Sequence, residues 1–176
     1  MRKFILPALL LFVLSVRAQN SQDSSWIREN YYKIERMVPM RDGVKLFTSI
    51  YIPKDVTEKH PILLRRTPYS CAPYGEDRWE AFWNNHQRYY MREGYIMVKQ
   101  DVRGRWMSEG EFMDVRPFNP NKSGQQTDEA SDTYDAIDWL VKNLPGNTGR
   151  VGVFGISYPG FYSTMAALSG HPALKA

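Results

Sequence analysis

The chain has 176 residues, of which 43% are hydrophobic and 24% charged, and this balance is typical of a globular domain. Its formal charge of +4 becomes +1 once the three basic residues of a candidate leader are set aside. Such a charge lacks the dense basic patch that binds nucleic acid, so we expect no nucleic-acid partner. One cysteine excludes an internal disulfide, and 3 histidines without ligand spacing give no support for a metal site.

Residues 1–18 have the pattern of a secretory signal peptide: a basic start, an apolar run over residues 4–16 and small residues that end at Ala18. A membrane anchor is the alternative, but the run is shorter than the ~20 residues that span a bilayer, and a proline interrupts it. We therefore expect an exported protein, periplasmic or secreted, without membrane association after cleavage. Residues 19–32 are polar at first and predict a mobile lead-in segment.

The folded part is expected to open with a β-hairpin. "KIERMVPM" and "VKLFTSIYIP" are β-rich runs on either side of the turn sequence "RDG". Pro39 favours an edge position for the first run, because proline cannot donate to a strand ladder. "PILL", residues 61–64, predicts a buried strand that ends at Thr67 and Pro68.

The middle of the chain predicts a helix, a strand and a long loop. Residues 77–92 place five aromatic side chains roughly on one helical face, with Asp77 as N-cap and Gly94 as the stop. "YIMVKQDV" predicts an apolar strand, and residues 103–126 predict a loop rich in Gly, Pro and Asn. Loops of this length are usually functional or mobile.

The last third predicts a helix, a strand and a second helix. "TDEASDTYDAIDWLVKNLPGN" starts with Thr and acidic residues, carries apolar residues at helical spacing and closes with Pro-Gly. "RVGVFG" predicts a short buried strand, and "FYSTMAALSG" a helix of small residues. Because strands and helices alternate after the hairpin, we expect an α/β fold with a mostly parallel sheet and helices on both faces.

Ser157 lies between the last predicted strand and its helix, in "GVFGISYPGFYS". Open parallel sheets form their ligand crevice at the carboxyl ends of the strands. A nucleophilic serine needs a sharp turn there, for which Gly155 and Gly160 give space, and the N–H of Tyr158 is the natural first donor to an oxyanion. The second glycine follows the serine by three residues instead of the usual two, with Pro159 tolerated in the first helical turn. A solvated serine in a glycine-rich turn is the alternative.

Five segments occur in the order found in the Xaa-Pro dipeptidyl-peptidase and cocaine esterase family of serine hydrolases. They are "MVPMRDGVKLFTSIYIP", "PILLRRTPY", "GYIMVKQDVRGRWMSEGEF", "YDAIDWLVKN" and "GRVGVFGISYPGFYS". The resemblance covers residues 33–176 and is strongest to α-amino-acid ester hydrolases and glutaryl acylases. G-x-S-Y-x-G is this family's form of the nucleophile turn. The resemblance therefore implies an α/β-hydrolase fold with Ser157 as nucleophile.

The resemblance also implies a second oxyanion donor, the hydroxyl of Tyr69 in "RTPY". Taken alone, Tyr69 is one of 11 tyrosines in the chain. The loop after the third strand supplies the second donor in hydrolases of this fold, which agrees with that position. We expect Ser157, Tyr158 and Tyr69 to form the site, with no cofactor.

The serine's base and acid are expected outside this sequence. α/β-Hydrolases place the acid and then the histidine after the serine, whereas His60 and His86 precede it and His171 lies only one helix beyond. The family's long chains imply that residues 33–176 are the N-terminal part of a catalytic domain. The outer side of "RVGVFG" would then lack a strand partner within this sequence.

The acidic residues of "QDVRGRWMSEGEF" could be paired carboxylates, but a structural role is the better interpretation, with Asp101 pairing with Arg103 to fix the loop. "TDEASD" is likewise interpreted as helix capping.

We expect an exported serine hydrolase that acts on small acyl esters, amides or short peptides through an acyl-enzyme. An Xaa-Pro dipeptidyl-peptidase and a non-catalytic binding module that keeps the fold are the alternatives.

Overall fold

The computed structural model describes residues 22–176, so the predicted signal peptide lies outside the described residues. Within this range the strands are β1 (Tyr31–Pro39), β2 (Lys45–Pro53), β3 (His60–Thr67), β4 (Ile96–Asp101) and β5 (Asn147–Val153). The helices are α1 (22–30), α2 (Gln87–Arg92), α3 (Glu129–Asn143) and α4 (Tyr158–Ala167), with a 3-10 turn at Phe82–Asn84. Across these residues, every helix is too short or too polar to cross a bilayer.

The strands form one sheet in the order β1-β2-β4-β3-β5. The β1–β2 hairpin and the β2–β4 pair are antiparallel, whereas β3 pairs in parallel with both β4 and β5. The predicted hairpin is confirmed, with Pro39 ending the edge strand β1. The carboxyl ends of β3, β4 and β5 therefore meet at the same edge, where parallel sheets place their ligand sites.

Helices cover both faces of the sheet, which confirms the predicted α/β fold. Successive residues of a strand point to opposite faces. Leu64 of β3 packs in one core cluster with Leu140 of α3. Its neighbour Leu63 packs on the other face, in a cluster that includes Ile27 of α1 and Met91 of α2. The sheet is thus sandwiched between α3 on one side and α1 and α2 on the other.

Residues 22–30 are ordered as helix α1, and β1 follows directly, where the sequence predicted a mobile segment. Ile27 is buried, and Asp23 accepts a hydrogen bond of 2.8 Å from Arg92 of α2. Trp26 packs against the same cluster as Ile27, so apolar contacts and a partly buried ion pair hold α1 on the sheet. The polar composition of the segment obscured these anchoring residues in sequence.

The predicted helix over residues 77–92 is wrong over its first half, because helical structure is confined to the 3-10 turn and α2. Trp79 packs edge-on against Tyr51 with ring centroids 5.2 Å apart. The buried Lys33 ammonium donates 2.9 Å hydrogen bonds to the carbonyls of Gly75 and Arg78. These tertiary contacts hold the first part of the segment in an irregular turn despite its helical pattern. Gly94 ends α2 as predicted, with φ of 76°.

The outer edge of β5 is paired, where the sequence predicted an open edge. The Val151 N–H donates to the Ala173 carbonyl at 2.9 Å, and the Val153 N–H donates to the Ala176 carbonyl at 2.8 Å. Lys175 returns a 2.8 Å hydrogen bond to the Val151 carbonyl. Residues 173–176 therefore lie parallel to the end of β5 and satisfy the outer backbone groups of Val151 and Val153. Four residues are too few to give a strand signal in sequence.

A buried ion cluster joins α3 to the sheet and to the long loop. Asp132 is fully buried and accepts hydrogen bonds of 2.7 and 3.0 Å from Arg103 and 2.6 Å from Arg116. Arg66 of β3, also fully buried, donates to Glu129 at 3.0 Å. Burial raises the pKa of Asp132, but the hydrogen bonds from Arg103 and the neighbouring guanidinium charges outweigh burial and lower it overall. The carboxylate is therefore ionised in the folded protein.

We predict that Asp132→Asn lowers the free energy of unfolding of the full-length protein by about 3–5 kcal/mol at pH 7, because it leaves one more positive than negative charge in the buried cluster. The lowered pKa means that this stabilisation is present above the unfolded pKa of ~3.9 and is lost as pH falls through the folded value. Urea denaturation at several pH values measures both effects.

Asp138→Asn is the matched control, because Asp138 lies on the same helix and pairs at 2.7 Å with an exposed lysine, Lys142. We expect it to change stability by less than about 1 kcal/mol. Equal losses for the two variants would contradict a structural role for the cluster.

Candidate active site

The turn between β5 and α4 carries Ser157 in a strained backbone conformation. Its φ is 61° and its ψ is −125°, a region that costs a non-glycine residue ~1–3 kcal/mol and that is enriched at functional sites. Ser157 is exposed, and its side chain makes no capping hydrogen bond to α4. The turn therefore holds an accessible serine at the carboxyl end of β5 and the N-terminus of α4, where the sequence predicted it.

Gly155 lets α4 begin this close to the strand. A Cβ at Gly155 would lie 2.1 Å from the Pro159 carbonyl oxygen and 2.6 Å from the Gly160 nitrogen. A Cβ at Gly160 would come no closer than 3.4 Å to its nearest neighbour, which is an ordinary contact. Only Gly155 is required because a side chain there would clash with the backbone, although the sequence analysis gave that role to both glycines.

The start of α4 offers one free backbone donor. Pro159 has no N–H, and the N–H groups of Gly160 and Phe161 donate to the Ser157 carbonyl at 2.9 and 3.3 Å. The Tyr158 N–H, at the first helical position, finds no acceptor among residues 22–176. The positive end of the helix dipole favours negative charge at the same point. This geometry suits the predicted oxyanion donor.

Tyr69 lies beside this turn because β3, which it follows, is the sheet neighbour of β5. Its ring meets the Tyr158 ring edge-on, with centroids 6.2 Å apart and planes at 83°. The residue is 60% exposed, and its hydroxyl has no hydrogen-bond partner in the described part of the chain. The structure thus brings Ser157, Tyr158 and Tyr69 together at one edge of the sheet.

The Tyr158 side chain is held by the long loop, a contact that sequence reasoning missed. Its hydroxyl donates to the Asp114 carboxylate and accepts from the Val115 N–H at 2.8 Å. Burial and the Asp114 carboxylate raise the pKa of this hydroxyl. Asp114 and Tyr158 are 44 residues apart, and no local pattern marks such a pair.

Asp101 supports the turn after β3 instead of pairing with Arg103 as predicted. It accepts a 2.7 Å hydrogen bond from the Cys71 N–H, and burial raises its pKa. Arg103 donates to Asp42 and Asp132 instead.

The predicted capping role of "TDEASD" is confirmed in part, because Asp128 caps α3 while Glu129 and Asp132 bind arginines. No metal-binding group of His, Cys, Asp and Glu is found in residues 22–176.

The chain's histidines make other contacts. His60 Nε2 lies 3.0 Å from the Asp55 carbonyl oxygen, and the His171 ring packs on Tyr134 with centroids 4.5 Å apart. The His86 ring lies 6.4 Å from that of Phe154. None of these contacts involves Ser157.

A family model described as X-Pro dipeptidyl-peptidase (S15 family) matches residues 42–176. The chain belongs to this family. The cocaine esterase of Rhodococcus sp. (strain MB1 Bresler) is 37% identical over 144 residues, which cover 80% of this chain and 22% of that protein. These matches confirm the S15 resemblance drawn from the sequence motifs.

Two solved structures of similar sequence support the S15 fold. An aminopeptidase from the marine sediment archaeon Thaumarchaeota archaeon is 43% identical with a TM-score of 0.70, over 84% of this chain and 25% of that chain. An α-amino acid ester hydrolase is 42% identical with a TM-score of 0.72, over 84% of this chain and 24% of that one. The chain spans about a quarter of the length of these relatives.

We predict that Gly155→Ala lowers the free energy of unfolding by about 1–3 kcal/mol, because its methyl group overlaps the backbone of α4. Gly160→Ala is expected to leave stability unchanged or raise it by up to about 1 kcal/mol, since alanine is the better helix former. Urea denaturation of the two variants measures the difference. Equal effects would show that the close approach at Gly155 is not what shapes the turn.

Proposed function

We propose that the intact protein is a serine hydrolase that cleaves small acyl esters or amides through an acyl-enzyme on Ser157. The observation that carries this proposal is an exposed serine in a strained turn at a helix N-terminus, beside two donors without partners among the described residues. The three relatives named above are hydrolases: one is an esterase, one an ester hydrolase and one an aminopeptidase.

The proposed reaction has two steps. The Ser157 hydroxyl attacks the substrate's carbonyl carbon while a general base takes its proton, and the oxyanion is bound by the Tyr158 N–H and the Tyr69 hydroxyl. The base returns the proton to the leaving alcohol or amine, which departs and leaves an ester on Ser157. Water then attacks this ester, and the products are a carboxylic acid and the free serine. The reaction needs no cofactor.

We place the general base and its carboxylate partner outside residues 22–176. The three histidines contact other groups, and the chain covers about a quarter of the length of its relatives. The substrate is a small ester, amide or short peptide. Export is part of the proposal, on the signal-peptide pattern of residues 1–18.

We predict that a fluorophosphonate probe labels the full-length protein and that Ser157→Ala abolishes the labelling, since the probe phosphonylates an activated serine. Ser163→Ala is the matched control: Ser163 lies on the same helix, donates to the Pro159 carbonyl at 3.1 Å and should leave labelling intact. Mass spectrometry of the labelled peptide identifies the serine. An unlabelled wild-type protein would favour the non-catalytic binding module.

A second candidate, an Xaa-Pro dipeptidyl-peptidase, is favoured by the description of the matching family model. This activity requires an anionic pocket for the substrate's free amine, as does selectivity for α-amino-acid esters. Comparison of kcat/KM for amino-acid esters, β-lactam amides and Xaa-Pro peptides separates the candidates. Faster turnover of the esters and amides supports the first proposal, whereas a preference for Xaa-Pro peptides assigns the protein to the second.

A further inference from the structure

The long loop between β4 and α3 contacts the Pro68 carbonyl, next to Tyr69, and the Tyr158 side-chain hydroxyl, and it does so through different residues. We propose that Trp106 of this loop is a positioning residue that sets the place of the Tyr69 hydroxyl. This inference rests on the proposed function and names the group that one of its donors depends on.

The peptide unit between Pro68 and Tyr69 is held on both of its sides. Its carbonyl oxygen, on Pro68, accepts hydrogen bonds from the Trp106 indole N–H at 2.9 Å and from Arg105 Nε at 3.2 Å. Its N–H, on Tyr69, donates to the Thr67 hydroxyl at 3.0 Å. Rotation of this peptide plane would break bonds on both sides. The direction in which the chain presents Tyr69 is therefore fixed.

The backbone has to fix the orientation of Tyr69, because its side chain is not held by burial. Tyr69 is 60% exposed, and its hydroxyl finds no partner in residues 22–176. Its one described ring neighbour is Tyr158. The next residue, Ser70, has φ of 95°, so the chain also turns away from Tyr69 through a strained conformation. The position of this exposed phenol, which has few contacts of its own, is therefore determined by the peptide unit that precedes it.

The loop is stiff enough to serve as the support. Trp106 itself has φ of 52°, which a tryptophan adopts only where its surroundings impose it. Gly104 packs so closely that a Cβ there would lie 2.1 Å from the Phe112 nitrogen. Arg103, one residue earlier, is bound into the buried ion cluster by Asp132. These contacts fix the backbone of Trp106 relative to the sheet. The indole itself is 59% exposed and is held by its hydrogen bond to the Pro68 carbonyl.

The same loop holds the other donor's residue. Asp114 and Val115 bind the Tyr158 hydroxyl, and the Tyr158 ring is the surface against which Tyr69 packs. The loop thus fixes Tyr69 through its peptide and through its ring neighbour. Only the first of these links depends on Trp106, so it can be tested by a change that leaves the ring contact alone.

A double-mutant cycle in the full-length protein tests the inference. Trp106→Phe keeps an aromatic ring and removes the N–H donor, and Tyr69→Phe removes the hydroxyl that Trp106 is proposed to position. The measured quantity is kcat/KM for 4-nitrophenyl acetate in the wild type, both single variants and the double variant. We expect about a 100-fold loss for Tyr69→Phe and about a tenfold loss for Trp106→Phe. The double variant should be no slower than Tyr69→Phe alone, because Trp106 acts through that hydroxyl.

Additive losses, or no loss for Trp106→Phe, would overturn the inference, since a merely structural role slows the enzyme equally in both backgrounds. Met107→Leu, an exposed neighbour on the loop, is the control and should leave kcat/KM unchanged. If Trp106→Phe does not fold, Trp106→Leu removes the same donor and takes its place in the cycle. A wild type without turnover that depends on Ser157 would instead be a failure of the proposed function.

Discussion

The close approach of α4 to β5 at Gly155 is the constraint on which the site depends. With 2.1 Å between a Cβ at this position and the Pro159 carbonyl oxygen, only glycine lets the helix start one short turn after the strand. The shortness of that turn forces Ser157 into a positive φ and leaves it exposed at the helix N-terminus. A longer connection would relieve the strain and separate the serine from the helix amides.

The rest of the described structure supports this turn from two directions. Parallel pairing of β3 with β5 brings Tyr69 to the edge of the sheet that carries Ser157. The ion cluster around Asp132 anchors the long loop, and the loop in turn contacts Pro68 and the Tyr158 hydroxyl. A loop that lacks helices and strands is thereby tied to the most deeply buried charges of the fold.

Much of the fold could be predicted from sequence because its signals are local. The "RDG" turn, the apolar strand runs and the capped start of α3 each depend on residues a few positions apart, and all are confirmed. The helix predicted over residues 77–92 is wrong in its first half because Lys33 and Tyr51, distant in sequence, hold that part in irregular structure. Pairing of residues 173–176 with β5 was missed because it leaves no pattern in four residues.

The site follows the same division. Ser157 and the Tyr158 N–H could be placed from a strand, a turn and a helix that are contiguous in sequence. Tyr69 was predicted mainly through the family resemblance, since its local sequence does not distinguish it from other tyrosines. Trp106 and Asp114 were not found, because their roles consist of hydrogen bonds to residues 38 and 44 positions away.

Pro159 reduces the number of free backbone N–H groups at the start of α4. It contributes none, and the next two are occupied by the Ser157 carbonyl, so the helix presents a single main-chain group to an anion. In the proposed oxyanion hole the second donor is therefore a side chain, the Tyr69 hydroxyl, from the turn that follows β3. The backbone donor, the Tyr158 N–H, is consequently retained in every side-chain substitution, whereas the hydroxyl donor is lost when one oxygen atom is removed from Tyr69. The contributions of the two donors to catalysis can therefore be measured separately in one protein.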